Sequence, residues 1–123
     1  VCSSDLVSAG EPEKIERAKR IANEAADRLG LPERLDRSDL FTDQGYIGEG
    51  YGIPTPGGLE AIELLAKTEA VVLDQCYTSK AMAALIDHVR KGIVQPDQTI
   101  VFVHTGGMPA VFTSSFVAAW QQR

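Results

Sequence analysis

Apolar and polar positions alternate along this chain in two distinct rhythms. From Pro12 onward, Ile15, Ala18, Ile21, Ala22, Ala25 and Leu29 recur at helical spacing up to Gly30, with Lys14, Arg17, Lys19, Glu24, Asp27 and Arg28 on the opposite side. That pattern predicts an amphipathic helix with one solvated face, begun by a proline that a first helical turn tolerates. A second helix is expected from Gly57 or Gly58 to Lys67, with Leu59, Ile62, Leu65 and Ala66 inward. A third runs from Ser79 to about Lys91, with Met82, Leu85, Ile86 and Val89 on one face, Thr78 or Ser79 as its N-cap and Gly92 ending it.

The second rhythm is short and continuous. Ala70-Val71-Val72-Leu73 and Thr99-Ile100-Val101-Phe102-Val103 are apolar, β-branched runs, as expected for strands buried on both faces of a parallel sheet. With the third helix between them they predict a right-handed βαβ unit, and hence an α/β fold. Residues 31–39 form a polar connector and residues 40–43 a short strand. Gly45, Gly48, Gly50 and Gly52 make a loop around Tyr46 and Tyr51, closed by Pro54 and Pro56. No strand runs directly into those glycines, so they are not a dinucleotide fingerprint. The turn at residues 106–109 leads to a short helix at 110–112, and residues 113–123 are expected as a helix or a loose tail.

Each apolar run ends in a polar cluster. The first gives Asp74-Gln75-Cys76-Tyr77-Thr78-Ser79-Lys80-Ala81-Met82, and the second gives His104-Thr105-Gly106-Gly107. Ligands of open α/β sheets sit outside the carboxyl ends of the strands, so Tyr77, Thr78 and Thr105 are expected to face one pocket. Each also has a plain structural reading: Thr78 as an N-cap, Thr105 as a turn residue, Tyr77 and Tyr51 as local packing.

Composition narrows the function classes. With 123 residues, 44% hydrophobic and 24% charged, the chain has the make-up of one globular domain. A net charge of -5 and a pI near 4.9 exclude the clustered basic surface that a phosphate backbone requires. No apolar run nears the roughly 20 residues of a membrane span, which makes the cytoplasm the default location and leaves neither nucleic acid nor membrane as an expected partner. Cys2 and Cys76 are too few for a disulfide framework. His88 and His104 have no ligand-spaced neighbours, so no metal is expected.

Tyr77-Thr78-Ser79-Lys80-Ala81-Met82, His104 to Ala110, Gly50 to Pro54 and Gly58 to Ile62 together resemble the C-terminal part of the D-cysteine desulfhydrase and 1-aminocyclopropane-1-carboxylate deaminase family. The resemblance runs from about residue 9 to residue 112. It implies pyridoxal 5'-phosphate as cofactor and the three-layer, parallel-sheet fold type II, tryptophan synthase beta-like. It further implies that residues 9–123 are the C-terminal part of the large cofactor-binding domain. Residues 1–8 are expected to be a non-native leader, since Val1 to Leu6 resembles translated adapter DNA.

The same resemblance assigns roles. Thr78 matches the residue facing the pyridine nitrogen, Thr105 adjoins it, and Gly106 lets the chain pass close to the cofactor. Tyr51 and Tyr77 match the two active-site tyrosines that hydrogen-bond substrate or assist a leaving group. The family's Schiff-base lysine and phosphate loop match no segment of this chain, and Lys80 matches a different, structural position. Deaminase-type members carry Glu and Leu where this chain has Thr78 and Thr105. The threonine pair resembles the desulfhydrase type, which implies α,β-elimination of D-cysteine to pyruvate, sulfide and ammonia by a full-length homodimer. Deamination of 1-aminocyclopropane-1-carboxylate and elimination from cysteate are the alternatives. A catalytically silent α/β fragment with an interaction role is the alternative of another class. Gln75, Cys76 and Ser79 depart from the family's Pro, Val and Gly.

Overall fold

The computed structural model describes residues 4–7 and 12–122, and the chain forms two compact units, Val1–Gln44 and Gly45–Arg123. In the first unit, strand β1 (Ser4–Val7) pairs in parallel with β2 (Leu40–Asp43), with Ser4 opposite Leu40 and Val7 opposite Asp43. Helix α1 (Pro12–Leu29) connects them, as a parallel pair requires a crossover. The expected β2 strand is therefore present. Ser4–Val7 lies within the segment read as a leader and serves here as its partner.

The inward stripe expected on α1 is only partly buried. Ile15 and Ala26 are buried, whereas Ile21 and Leu29 are exposed. Two side-chain contacts fix the turn after the helix instead. Asn23 holds both the N–H and the carbonyl of Leu35, at 2.9 and 3.0 Å, and Lys19 reaches Asp36 at 2.9 Å. Asp36 and Asp39 then close a capping box around a single 3-10 turn, Arg37–Asp39.

The second unit is built on helices α2 (Pro56–Glu69), α3 (Thr78–Arg90) and α4 (Ser114–Gln121). Thr55 caps α2, its hydroxyl accepting from the Gly58 N–H at 3.0 Å with Pro56 at the first helical position. Gly58 also sets how closely α2 and α3 approach: a Cβ on it would stand 3.0 Å from the Ser79 hydroxyl. Leu59, Ala61 and Ile62 from α2, Met82 and Ala83 from α3, Leu73 and Phe116 form the buried core. Leu65, Leu85 and Ile86 pack against it as expected, but Val89 is exposed and so is Ala66. The segment after Gly107 forms a 3-10 turn, Met108–Phe112, and Thr113 caps α4. Of the helix or tail expected there, the helix forms.

Two expectations need correction. Residues 70–73 and 99–103 are not strands among the described residues, and no βαβ sheet joins them. The physical reason lies in their surroundings: Val71, Val72, Ile100, Val101 and Val103 are all exposed, whereas a two-faced parallel strand exists only when neighbours hydrogen-bond both its edges and cover both faces. The N-cap of α3 is Tyr77 rather than Thr78 or Ser79, because the capping group arrives from Asp74.

Candidate active site

The two polar clusters do converge. His104 accepts the Gly106 N–H at its Nδ1, 3.1 Å away, which places its ring proton on Nε2, and Nε2 donates to the Val72 carbonyl at 3.1 Å. One imidazole thus ties the end of the first apolar run to the turn that ends the second. It is exposed, and it acts as a strut.

Beneath that turn lies Asp74, fully buried. Its Oδ2 accepts the N–H groups of Cys76 at 2.6 Å and Tyr77 at 2.9 Å, and its Oδ1 accepts the Thr78 N–H at 2.9 Å and the Thr78 hydroxyl at 2.6 Å. Burial pushes the carboxyl upward, but the Thr78 hydroxyl and these three N–H groups together outweigh it and hold Asp74 below the ordinary carboxylate value. The carboxylate also fills the positive N-terminal end of α3. That end is not open to an external anion such as a phosphate.

Gly107 closes over the same carboxylate. Its φ of 91° favours glycine, and a Cβ there would lie 2.7 Å from the Asp74 Cγ. The cluster at 104–107 therefore sits directly on the cluster at 74–78, and Thr105 and Gly106 are carried on that turn. Thr105 is exposed, and among the described residues no side chain takes up its hydroxyl. Around Gly106 the space where a Cβ would sit is open to beyond 4 Å.

Thr78 is placed differently. It is buried, its hydroxyl donating to Asp74 Oδ1 and accepting from the Asp74 N–H at 2.8 Å. Only one lone pair remains uncommitted. Thr78 can thus accept one further hydrogen bond but has no proton to offer while Asp74 is ionised.

Tyr51 and Tyr77 are brought together. Their rings meet edge to face, with centroids 5.7 Å apart, and the Tyr77 hydroxyl donates to that of Tyr51 at 2.9 Å. That bond, with Tyr77 as donor, raises the Tyr77 hydroxyl above its ordinary value. Tyr51, 78% exposed, keeps its own hydroxyl proton for an outside acceptor. The pair can therefore donate one proton outward and replace it from Tyr77 along the bond.

Two residues of this site, Asp74 and Gln75, were given no role by sequence reasoning. Asp74 was read as part of the cluster without a role, because the sequence signal for a cap is a residue directly before the helix and Asp74 lies four positions ahead of Thr78. Gln75 is buried, and its amide nitrogen donates to the Gly52 carbonyl at 3.1 Å and approaches the hydroxyls of Thr113 at 3.0 Å and Ser115 at 3.2 Å. It fastens the Tyr51 loop to the start of α4. Its Oε1 has no partner among the described residues. Lys80, read as structural, is buried, and its Nζ donates to the Ile47 and Gly50 carbonyls at 2.6 and 3.0 Å. No group of metal-ligating side chains occurs among the described residues, and no helix there is long and apolar enough to cross a membrane.

The sequence has relatives. A family model described as pyridoxal-phosphate dependent enzyme matches residues 2–106. The chain is 39% identical over 105 residues to 1-aminocyclopropane-1-carboxylate deaminase of Burkholderia ambifaria (strain MC40-6), and 38% identical over 104 residues to that of Burkholderia multivorans (strain ATCC 17616 / 249). The deaminase of Burkholderia vietnamiensis (strain G4 / LMG 22486) is 37% identical over 105 residues. Each alignment takes in 85% of this chain, and the chain spans 31% of the length of these relatives.

Proposed function

This chain belongs to the pyridoxal-phosphate-dependent enzyme family, and from that premise we propose that it forms the ring-side wall of the active site in a full-length lyase acting on a small amino acid. The observation that carries the reading is the exposed, hydrogen-bonded Tyr51–Tyr77 pair.

The residues present fit one part of the cofactor. A Thr105 hydroxyl with no partner among the described residues and open space over Gly106 suit the edge of a planar ring approaching close to backbone. Thr78 has a single lone pair left, directed by its bond to a buried carboxylate. That suits a pyridine nitrogen that carries a proton better than one that lacks it. The aldehyde and phosphate ends find no seat in the described residues. A lysine must be neutral and free to attack an aldehyde, whereas the Lys80 amine is held by two carbonyls, and the α3 N-terminus is already filled by Asp74.

When bound, pyridoxal phosphate withdraws electrons from the substrate's α-carbon. The chain's own part is to orient the substrate and move a proton. Tyr51 donates its hydroxyl proton to a substrate carboxylate or to a leaving group, and Tyr77 donates to Tyr51 and so steadies its oxygen as that proton leaves. Hydrosulfide leaving from Cβ is assisted by such a hydrogen bond without requiring full transfer of the proton.

Two substrates compete. The relatives bear the name 1-aminocyclopropane-1-carboxylate deaminase, which favours ring opening of that substrate. Thr78 and Thr105 stand where the deaminase-type pattern has Glu and Leu, and that difference favours α,β-elimination of D-cysteine to pyruvate, sulfide and ammonia. We take D-cysteine as the substrate, and the deaminase reaction as the second reading. Further parts of the proposal are a full-length homodimer in the cytoplasm and a three-layer fold in which residues 70–73 and 99–103 pair with strands outside this chain. Parallel assays on the full-length enzyme decide between the substrates: sulfide and pyruvate from D-cysteine are expected, and 2-oxobutyrate from the cyclopropane amino acid without sulfide would overturn the choice.

A further inference from the structure

A cation in the first turn of a helix opposes the helix dipole, and burial opposes it again. Lys80 accepts both penalties: it is the third residue of α3 and is 4% exposed. Burial accordingly pushes its ammonium below the ordinary lysine value, against the opposing pull of Cys76 and Asp74. A position so unfavourable for charge is explained only by what the charge holds.

What it holds is the loop that carries Tyr51. The Ile47 and Gly50 carbonyls, three residues apart, both accept from Nζ, at 2.6 and 3.0 Å. Tyr51 follows directly, and the Gly52 carbonyl beyond it accepts from Gln75 at 3.1 Å. The tyrosine is thus bracketed by two anchors from the 74–80 segment, the same segment that presents Tyr77. The exposed loop has glycines at 45, 48, 50 and 52, and such a backbone does not fix a side chain by its own preferences.

We propose that Lys80 is a positioning residue for the tyrosine pair: its buried ammonium clamps the Ile47 and Gly50 carbonyls and so holds the Tyr51 hydroxyl against that of Tyr77. This rests on the proposed role of the pair in proton transfer, yet its geometric content stands apart from any substrate. Lys80 touches neither substrate nor cofactor in this scheme. It acts through the loop.

The test reads the pair directly. In the protein labelled with 13C at the tyrosine ζ carbon, each tyrosine reports its own titration, and the Tyr51→Phe and Tyr77→Phe variants assign the signals. Wild type is expected to show Tyr77 titrating above the ordinary value of 10.0. Lys80→Met and Lys80→Gln, whose amide stops one bond short of the carbonyls, are expected to return Tyr77 towards that value as Tyr51→Phe does. Lys80→Arg is expected to restore the wild-type curve. The Tyr46 signal, from a ring whose hydroxyl donates to Asp87 on α3, monitors the fold. A raised Tyr77 titration that persists in either folded variant overturns the proposal. So does loss of the Tyr46 signal in both, since Lys80 would then hold the fold rather than the loop. Failure of the D-cysteine assay leaves all of these readings unchanged, so the two ideas fail separately.

Discussion

The residue that organises this site is a carboxylate that no catalytic role requires. Asp74 gathers three N–H groups and one hydroxyl at distances of 2.6 to 2.9 Å. Its folded value lies below the ordinary 3.8, so the sign of its pH dependence follows. The ionised group contributes stability that is complete above the unfolded value and is lost as pH falls through the lower folded one. In Asp74→Asn one oxygen becomes an amide nitrogen that cannot accept, which leaves N–H groups unpaired and costs about 2 kcal/mol near neutral pH. Urea midpoints measured from pH 7 down are expected to fall for wild type below about pH 4 and to converge on the variant there. A constant gap between the two across that range would contradict the assignment. The sequence made the neighbourhood legible without this residue. Tyr51, Tyr77 and Thr105 were chosen from the pattern and are exposed, the two tyrosines in contact, but that Thr78 faces inward follows from an Asp four positions earlier.

At the scale of elements, local periodicity identified α1, α2 and α3 and left α4 open between a helix and a tail, because helical hydrogen bonds and caps are set within a few positions of sequence. The apolar runs at 70–73 and 99–103 carry strand composition without strand pairing. Composition states a preference, whereas a ladder needs a partner far away in sequence or in another segment. The turn at 106–107 shows a comparable division. Gly-Gly announced a turn, but its contact with Asp74 could not be read from spacing. Two glycine substitutions separate these contributions. Gly92→Ala meets open space at a φ of 69° and is expected to cost about 1 kcal/mol in denaturant unfolding, from backbone strain alone. Gly107→Ala has the same kind of strain and a Cβ 2.7 Å from Asp74, which raises the expected loss to about 2–3 kcal/mol. Equal losses would mean that the turn does not rest on the carboxylate.

At the scale of the whole molecule, the chain spans 31% of its relatives' length, and its second unit carries a connected set of hydrogen bonds around the candidate site. His104 struts the turn, Asp74 supports it, and Gln75 and Lys80 fasten the Tyr51 loop. The Gln75 and Lys80 contacts bracket one exposed tyrosine, Tyr51. The central claim is that Tyr51 handles a proton of the substrate, and it is tested most directly by kcat/KM of the full-length enzyme with Tyr51→Phe. The account predicts a fall of about 10²-fold or more, with cofactor absorbance at the wild-type level because the phenyl ring retains the packing. Wild-type turnover in Tyr51→Phe would contradict it.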